Sequence, residues 1–404
     1  MAMIDVTLNR LALLKAIRNR GPIARTELQE LTGLASATIS QVTSELLKRG
    51  LIIERKDIAK RNGRPRILLE IDPACGIVIG ASLTSRQRLV ITFVDLTGEV
   101  RFEKETGSTD AHTLEDLAER AVQELEAAIC ESGFDRDDIL RVGLSLPALI
   151  DSVHGIFYFM STFPLGPYPL AQQIANKLGL PVTIENEMNC IARFEHWFGR
   201  AQHLDTLTVI DIGYSIGAAE YRSGLPKCGA HGITSQLGHV KLHAGPQGLP
   251  CYCGARGCAN AYASIFGILQ QAGKISSNVP PIENLDEAFQ NLLTKAEAGP
   301  GNERALTASA GWHLGLLVAN HINAADPGDV LILVSDDRFE TLIREQFEEA
   351  LRDNVLPGLL PFTNVTFELF SSQGSAKGTA ALALEQSYLE GAALRRPALR
   401  QAQR

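Results

Sequence analysis

The chain has 404 residues, of which 45% are hydrophobic and 21% charged, with a formal net charge of −8. That length accommodates two or three domains with separate cores, and the composition is that of a soluble globular protein. The most apolar stretch, Ala305 to Ala325, is interrupted by His313, Asn320, His321 and Asn323, which excludes a membrane span and predicts a buried core helix.

Residues 1–10 lack the apolar run of a secretory signal. Three of the seven cysteines fall between 251 and 258, a clustering that points to a metal in a reducing compartment and away from a disulfide framework. A cytoplasmic protein is expected. The charge is divided unevenly: residues 1–72 carry 13 Lys and Arg against 8 Asp and Glu, leaving 25 and 38 for the remainder. A basic end on an acidic body is repelled by nucleic acid everywhere except at that end.

From the N-terminus, Leu8, Leu11, Leu14 and Ile17 recur every three residues and predict a helix from 8 to 17, ended by Gly21 and Pro22. A second helix is expected from Arg25 to Thr32, with Gly33 as the turn. A third starts at Ser36 as its N-cap and stops at Gly50. Short helix, glycine turn and longer helix make a helix-turn-helix. At about 100° per residue, Ile39, Val42, Leu46 and Leu47 of the third helix face inward. Ala37, Gln41, Ser44 and Lys48 face outward with Thr38 at the flank, small and hydrogen-bonding side chains suited to a major groove. Gln41 is of the type that pairs with an adenine edge, and Lys48 of the type that meets phosphate. The same helix trio also serves as an ordinary cap with a polar face.

Two strands follow, Leu51 to Arg55 and Ile67 to Ile71, and the loop between them holds Arg61, Arg64 and Arg66 within a basic run. A hairpin after a recognition helix is a wing. Its Gly-Arg-Pro-Arg tip at 63–66 resembles arginine hooks that enter narrow A·T minor grooves. A solvated basic loop is the competing account. The winged helix-turn-helix is thus assigned to residues 1–72.

The body, 73–404, alternates strands with helices and is α/β. Strands are expected at 76–83 and 88–96 with a turn at Thr97-Gly98, then a helix from Leu114 to Ser132 and strands at 142–146, 181–184 and 206–212.

Several stretches carry a resemblance: Gly-Leu-Ser-Leu-Pro at 143–147, Glu-Asn-Glu-Met-Asn at 185–189, and Asp-Ile-Gly-Tyr-Ser-Ile-Gly at 211–217. To these are added Gly-His at 238–239, Cys-Tyr-Cys-Gly-Ala-Arg-Gly-Cys at 251–258, and Gly-Ser-Ala-Lys-Gly-Thr-Ala-Ala at 374–381. With them the body resembles the ROK family of sugar-responsive repressors and sugar kinases, built on the two-lobed actin-like ATPase (ribonuclease H-like) fold. A winged helix ahead of it marks the repressor branch, which includes xylose, glucose and N-acetylglucosamine regulators. The resemblance implies one lobe at about 73–185 plus a C-terminal helix at about 375–395, and a second lobe at about 186–374.

It also implies a structural zinc. Cys251, Cys253 and Cys258 supply three thiolates on a knuckle in which Gly254 and Gly257 let the backbone fold round one ion, and His239 stands where the family has its fourth ligand. The loop from Val240 to Pro250 is slightly longer than usual in the family, which leaves His243 as an alternative ligand.

The kinase machinery departs from the family pattern. Glu187 stands where kinases carry an Asp base, and an extra methylene displaces the carboxylate by about an ångström. The first phosphate loop, an Asp and two glycines in kinases, becomes Ser82-Leu83-Thr84, and the adenosine segment becomes Leu333-Val334-Ser335-Asp336. Gly213 and Gly217 of the second phosphate loop remain. The sugar-facing glutamates are replaced by Gln236 and Asn260, beside Asn186, Glu187 and His239. The expected protein is a sequence-specific DNA-binding regulator without kinase activity. It would act as a homodimer or homotetramer on an inverted-repeat operator in double-stranded DNA, answering to a sugar or polyol. A sugar kinase with an attached DNA-binding module, or a regulator with a degenerate pocket, are the alternatives.

Overall fold

The computed structural model describes residues 2–57, 66–84, 87–160, 162–163, 165–202, 204, 206–222, 225–230, 232–275 and 285–390, with side chains from 9 to 389 within these. Arg61 and Arg64 lie outside them.

The N-terminal unit consists of α1 (Ala2–Arg20), β1 (Ile23–Ala24), α2 (Arg25–Thr32), α3 (Ser36–Arg49), β2 (Ile52–Lys56) and β3 (Ile67–Ile71). β2 and β3 pair antiparallel from Ile52↔Ile71 to Lys56↔Ile67, forming the base of the wing. The short β1, absent from the sequence reading, adds a third strand to β3. α1 is longer than the spacing of its leucines predicted. The cap of α3 also differs: Ala35 occupies the N-cap without a side-chain bond and Ser36 is already helical, whereas Gly50 ends the helix at φ 74°. Only a residue that tolerates the left-handed region turns the chain there, and the Gly50 N–H bonds back to the helix carbonyls.

In the first lobe β4 (Ile77–Leu83), β5 (Arg88–Asp95) and β6 (Val100–Ser108) form an antiparallel meander. After α4 (Leu114–Ser132), β7 (Ile139–Leu146) joins β4 in parallel. The small hairpin β8 (Leu149–Asp151) and β9 (Ile156–Phe159) and α5 (Leu170–Leu178) then lead to β10 (Val182–Asn186). The described strands run in the order β10-β7-β4-β5-β6. Alternation sorts β4: Ile77, Ile79, Ala81 and Leu83 pack under α4 and α5, while Val78 faces the opposite side. That side is covered by α12 (Ser372–Glu390), the last described helix. Gly80 lets it approach: a Cβ there would lie 2.2 Å from the Ala376 carbonyl oxygen.

α6 (Glu187–Trp197) leads into the second lobe. Its sheet contains β11 (Thr206–Ile212), β12 (Ile216–Arg222) and β13 (Leu225–Pro226). Then come α7 (Asn260–Ala263), α8 (Ile265–Gln271), α9 (Leu285–Glu297) and α10 (Asn302–Ala325), before β14 (Asp329–Val334), α11 (Asp337–Asn354) and β15 (Asn364–Leu369). The order is β13-β12-β11-β14-β15, with β11, β14 and β15 parallel. α10 is the buried core helix expected at 305–325, and no helix among the described residues is long and apolar enough to cross a membrane.

α6 is shared between the lobes. Met188, Ile191 and Ala192 pack on Val209, Leu331 and Leu333 of the second sheet, and Trp197 joins the core of α12 and α1. That latter core is continuous with the winged helix: Leu11, Leu13, Leu14 and Ile17 share it with Val94, Leu96, Leu384 and Tyr388. α1 is therefore buried between its own domain and the body, which is why apolar residues fall on more than one of its faces.

Candidate functional site

The recognition helix α3 buries Ile39, Val42 and Leu46 and leaves Leu47 half-buried. Gln41, Ser44 and Lys48 are exposed and Thr38 is half-buried beside them. The polar face read from the sequence is therefore a solvent-facing surface. Arg66, at the base of the wing, is also exposed, 3.8 Å from Glu27.

The cleft is built where β10 runs into α6. Asn186 is the N-cap: its Oδ1 accepts the Met188 N–H at 2.8 Å and its Nδ2 donates to the Ala148 carbonyl at 2.8 Å, so its amide is oriented from both sides. Glu187, the next residue, is half-buried and without a counter-ion among the described residues. Burial, and then the Asp211 carboxylate, push its pKa up to about 8. Burial alone pushes Asp211 up to about 7. Two acids facing each other without a cation are unusual for a purely structural pair. Asp211 was quoted in the Asp-Ile-Gly run but not assigned to the site, and its position at the end of β11 is what brings it there.

The remaining sequence-expected residues differ in their local partners. Gln236 is exposed, its Nε2 3.4 Å from the Thr234 carbonyl. Asn260 is fully buried and committed: its Oδ1 accepts the Ile216 N–H at 2.6 Å and its Nδ2 donates to the Tyr252 hydroxyl at 3.2 Å. Asn260 thus braces the start of β12 against the knuckle. His239 is half-buried, with its Nε2 3.4 Å from the Tyr252 hydroxyl, and burial, then Lys241, pull its pKa down and favour the neutral imidazole.

The ligand atoms of His239, Cys251, Cys253 and Cys258 all lie within 4.8 Å of one another. His239 Nδ1 is 3.9 Å from Cys251 Sγ, and Cys253 Sγ is 3.8 Å from Cys258 Sγ. A tetrahedral zinc with bonds of about 2.0–2.3 Å separates its ligand atoms by roughly 3.5–3.8 Å, so the four side chains fit such an ion. Lys241 Nζ stands 2.9 Å from Cys258 Sγ, a cation beside a cluster that carries three thiolates when metallated. His243 is not part of the group: its Nε2 meets His313 at 3.0 Å instead.

The positions expected to have lost nucleotide chemistry are occupied by packing. Ser82 is buried within β4 and its hydroxyl bonds to that of Ser375 on α12 at 2.8 Å. Leu333 and Val334 are buried strand residues. Asp336 caps α11 through the Arg338 N–H and pairs with that guanidinium at 2.9 Å. Gly217 lies against Met188, where a Cβ would sit 2.6 Å from the thioether.

Beneath the cleft runs a buried ionic chain that sequence reading missed. Glu185 Oε1 accepts from the Asn186 N–H at 2.8 Å and from Asn189 Nδ2 at 3.1 Å, and its Oε2 meets Arg193 at 3.3 Å. Arg193 Nε donates to Glu385 Oε2 at 2.9 Å. Glu385 Oε1 accepts from Trp197 Nε1 at 2.9 Å and pairs with Lys15 of α1 at 3.1 Å. Burial would raise the Glu385 pKa, yet Lys15 and Arg193 outweigh it and hold the group at about 2. Arg18 lies over the Trp197 ring at 4.2 Å and donates to the Trp197 carbonyl. Further along α1, Arg10 donates to the Leu389 carbonyl of α12 and to Glu45 of the recognition helix at 2.8 Å.

A DNA-reading domain joined to a two-lobed α/β body with a thiolate-rich knuckle defines the class of protein. A ROK family model matches residues 76–386, and a MarR family model matches residues 6–58. The chain belongs to the ROK family. The xylose repressor of Caldicellulosiruptor bescii is 27% identical over 368 residues, 90% of this chain and 91% of that one. The Escherichia coli DNA-binding transcriptional dual regulator NagC is 26% identical over 371 residues, 86% and 87% of the two chains. The crystal structure of a ROK family transcriptional regulator, a homologue of the Escherichia coli MLC protein, matches at a TM-score of 0.79 and 26% identity, covering 96% of this chain and 98% of that one. The ROK hexokinase of Thermus thermophilus, at 22% identity and a TM-score of 0.60, covers 78% of this chain and 99% of its own, which shows a common fold for the body.

Proposed function

We propose that this protein is a transcriptional regulator, most simply a repressor, of carbohydrate-related genes. It binds an inverted repeat as a homo-oligomer and is controlled by a sugar or polyol in the cleft of Asn186, Glu187 and His239. The relatives named as a xylose repressor and a DNA-binding transcriptional dual regulator support the class of function. The observation that carries the control is the ionic chain: α6 begins at the cleft with Glu187 and ends on Trp197, where Glu385 and Lys15 tie it to α1. A ligand that draws the lobes together on α6 moves the base on which the winged helix stands. It shifts DNA affinity by its differential affinity for the two arrangements and by nothing more.

Zinc held by His239, Cys251, Cys253 and Cys258 would be structural, since four protein ligands leave no open position. Its part is to fix the wall of the cleft on which His239 sits.

No phosphoryl transfer is assigned. Catalysis of that step needs backbone amides and a metal-orienting carboxylate around the phosphates, and Ser82 and Asp336 are already bonded elsewhere. The kinase reading rests on Glu187, Gly213 and Gly217. Measuring ATP turnover with glucose, N-acetylglucosamine, mannose and xylose separates the two: background rates are expected, and turnover by the wild type or by Glu187→Asp would overturn the assignment. For DNA, fluorescence titration of Gln41→Ala is expected to relax preference at one base pair by about 1–3 kcal/mol. Lys48→Ala should weaken all sequences alike and flatten the salt dependence. Equal losses for both on every sequence would remove the specific-regulator reading. A thermal-shift screen of sugars, sugar phosphates and polyols identifies the effector.

A further inference from the structure

Beside the knuckle, outside its cysteine cluster, the structure places two imidazoles nitrogen to nitrogen, their planes tilted by 56°. His243 comes from the loop between β13 and α7 and His313 from the middle of α10, and their Nε2 atoms are 3.0 Å apart. The tautomer of one is fixed. His313 Nδ1 lies 2.7 Å from the Ser309 carbonyl oxygen, which can only accept, so Nδ1 carries the proton and Nε2 of the neutral ring presents its lone pair to His243. Burial lowers the His313 pKa, outweighing the opposing hydrogen bond to the Ser309 carbonyl, with a smaller lowering contribution from His243, and this favours the neutral ring.

Both rings are held. Each packs on Tyr262 with centroids 4.7 Å apart, and the Tyr262 hydroxyl is itself pinned by the Leu249 N–H at 2.8 Å. The His243 backbone is tied to the knuckle, its N–H and that of Leu242 reaching the Gly257 carbonyl at 3.3 and 2.9 Å. The pair opens into a surface pocket also lined by Gln247, Gln271 and Ser309.

We propose that His243 and His313 form a second metal site, taking a late first-row divalent cation such as Zn²⁺, Cu²⁺ or Ni²⁺, with water completing the coordination. Two nitrogens each about 2.0–2.1 Å from one ion stand roughly 2.9–3.4 Å apart for angles between square and tetrahedral, and the observed spacing lies in that interval. Imidazole nitrogen suits these ions. The His313 Nδ1–H bond to a backbone carbonyl is the outer-shell partner that ligating histidines use to fix their orientation. In the ion-free protein His243 donates its Nε2–H across the gap. On binding, that proton moves to its Nδ1, so the ion enters without net proton release. The site would staple α10 to the loop that leads into the knuckle.

The test uses the full chain without a histidine tag. Dialysis against micromolar free Zn²⁺, followed by elemental analysis, is expected to give two zinc per chain for the wild type. His313→Gln and His243→Gln should each give one, with the second equivalent weakened at least tenfold. A wild type that holds one zinc, or variants that keep two, overturns the proposal. A second measurement needs no variant: diethylpyrocarbonate labelling read by peptide mass should show His243 and His313 protected by Ni²⁺ and the other exposed histidines unchanged. Equal labelling with and without Ni²⁺ overturns it as well.

Discussion

The two ends of α6 hold acids in opposite conditions. At its start Glu187 is close enough to Asp211 to feel its charge and has no counter-ion among the described residues, and burial raises both, to about 8 and about 7. At its end Glu385 is more deeply buried, yet Lys15 and Arg193 hold it at about 2. One pair is relieved by holding protons that free carboxyls would release, and the other uses its charge to join three elements. A buried acid that is fully partnered marks architecture, whereas a buried acid left unpartnered marks a surface that something else completes. On the proposed reading, the contrast separates the site that would receive a ligand from the joint that would transmit its effect.

The largest expected effect is at the joint. Glu385→Gln leaves Arg193 buried beside Glu185 with one of its two carboxylates gone, and breaking a buried pair of this kind costs about 3–5 kcal/mol. Denaturant unfolding is the measurement, and a loss below about 1 kcal/mol would show that the chain of charges is incidental. The cysteine site gives a comparable test: Cys253→Ser should lower both zinc content and melting temperature, and unchanged metal content would remove the assignment.

The pH dependence of stability sharpens the contrast because the two acids act in opposite windows. Glu385 has its folded pKa depressed from 4.5 to about 2, so the stability it contributes is present above about 4.5 and is lost as pH falls towards 2. Glu187 has its folded pKa raised from 4.5 to about 8, so the folded state retains a proton that the unfolded state releases, and stability falls as pH rises between those values. Glu187→Gln should therefore flatten the decline between pH 5 and 8 by a fraction of about 1.4 kcal/mol per pH unit. An identical slope for variant and wild type would mean that the cleft acid is not perturbed.

The smallest expected effect on folding carries the most information on control. Lys15→Met removes both the ion pair with Glu385 and the ammonium 5.0 Å over the Trp197 ring at a side chain that is 19% exposed, for an expected cost of about 1–2 kcal/mol. Effector binding should persist while the effector's influence on DNA affinity shrinks. Unchanged coupling in a fluorescence titration with and without effector would place transmission elsewhere.

Much of this protein could be read from its residues alone. The period of α3, the glycine at its end and the two β-branched runs of the wing specify a winged helix because the signals are local. Helix spacing, a left-handed glycine and alternating strands each act within a few residues. The knuckle was equally legible, since three cysteines in eight residues leave one compact way to gather their sulfurs. The ionic chain was not legible. Lys15, Glu185, Arg193 and Glu385 are spread over 370 positions and each reads singly as a solvated charge. Only the packing of α1, α6 and α12 against one another brings them into a common dry interior, where unpaired charge is too costly to persist. The same holds for Asn260 and His243. The family resemblance suggested a pocket residue and a spare ligand, but the fold turned one inward to brace β12 and the other outward to meet α10. Local chemistry determined the elements and the cysteine cluster, and tertiary packing decided which polar side chains were left free to act.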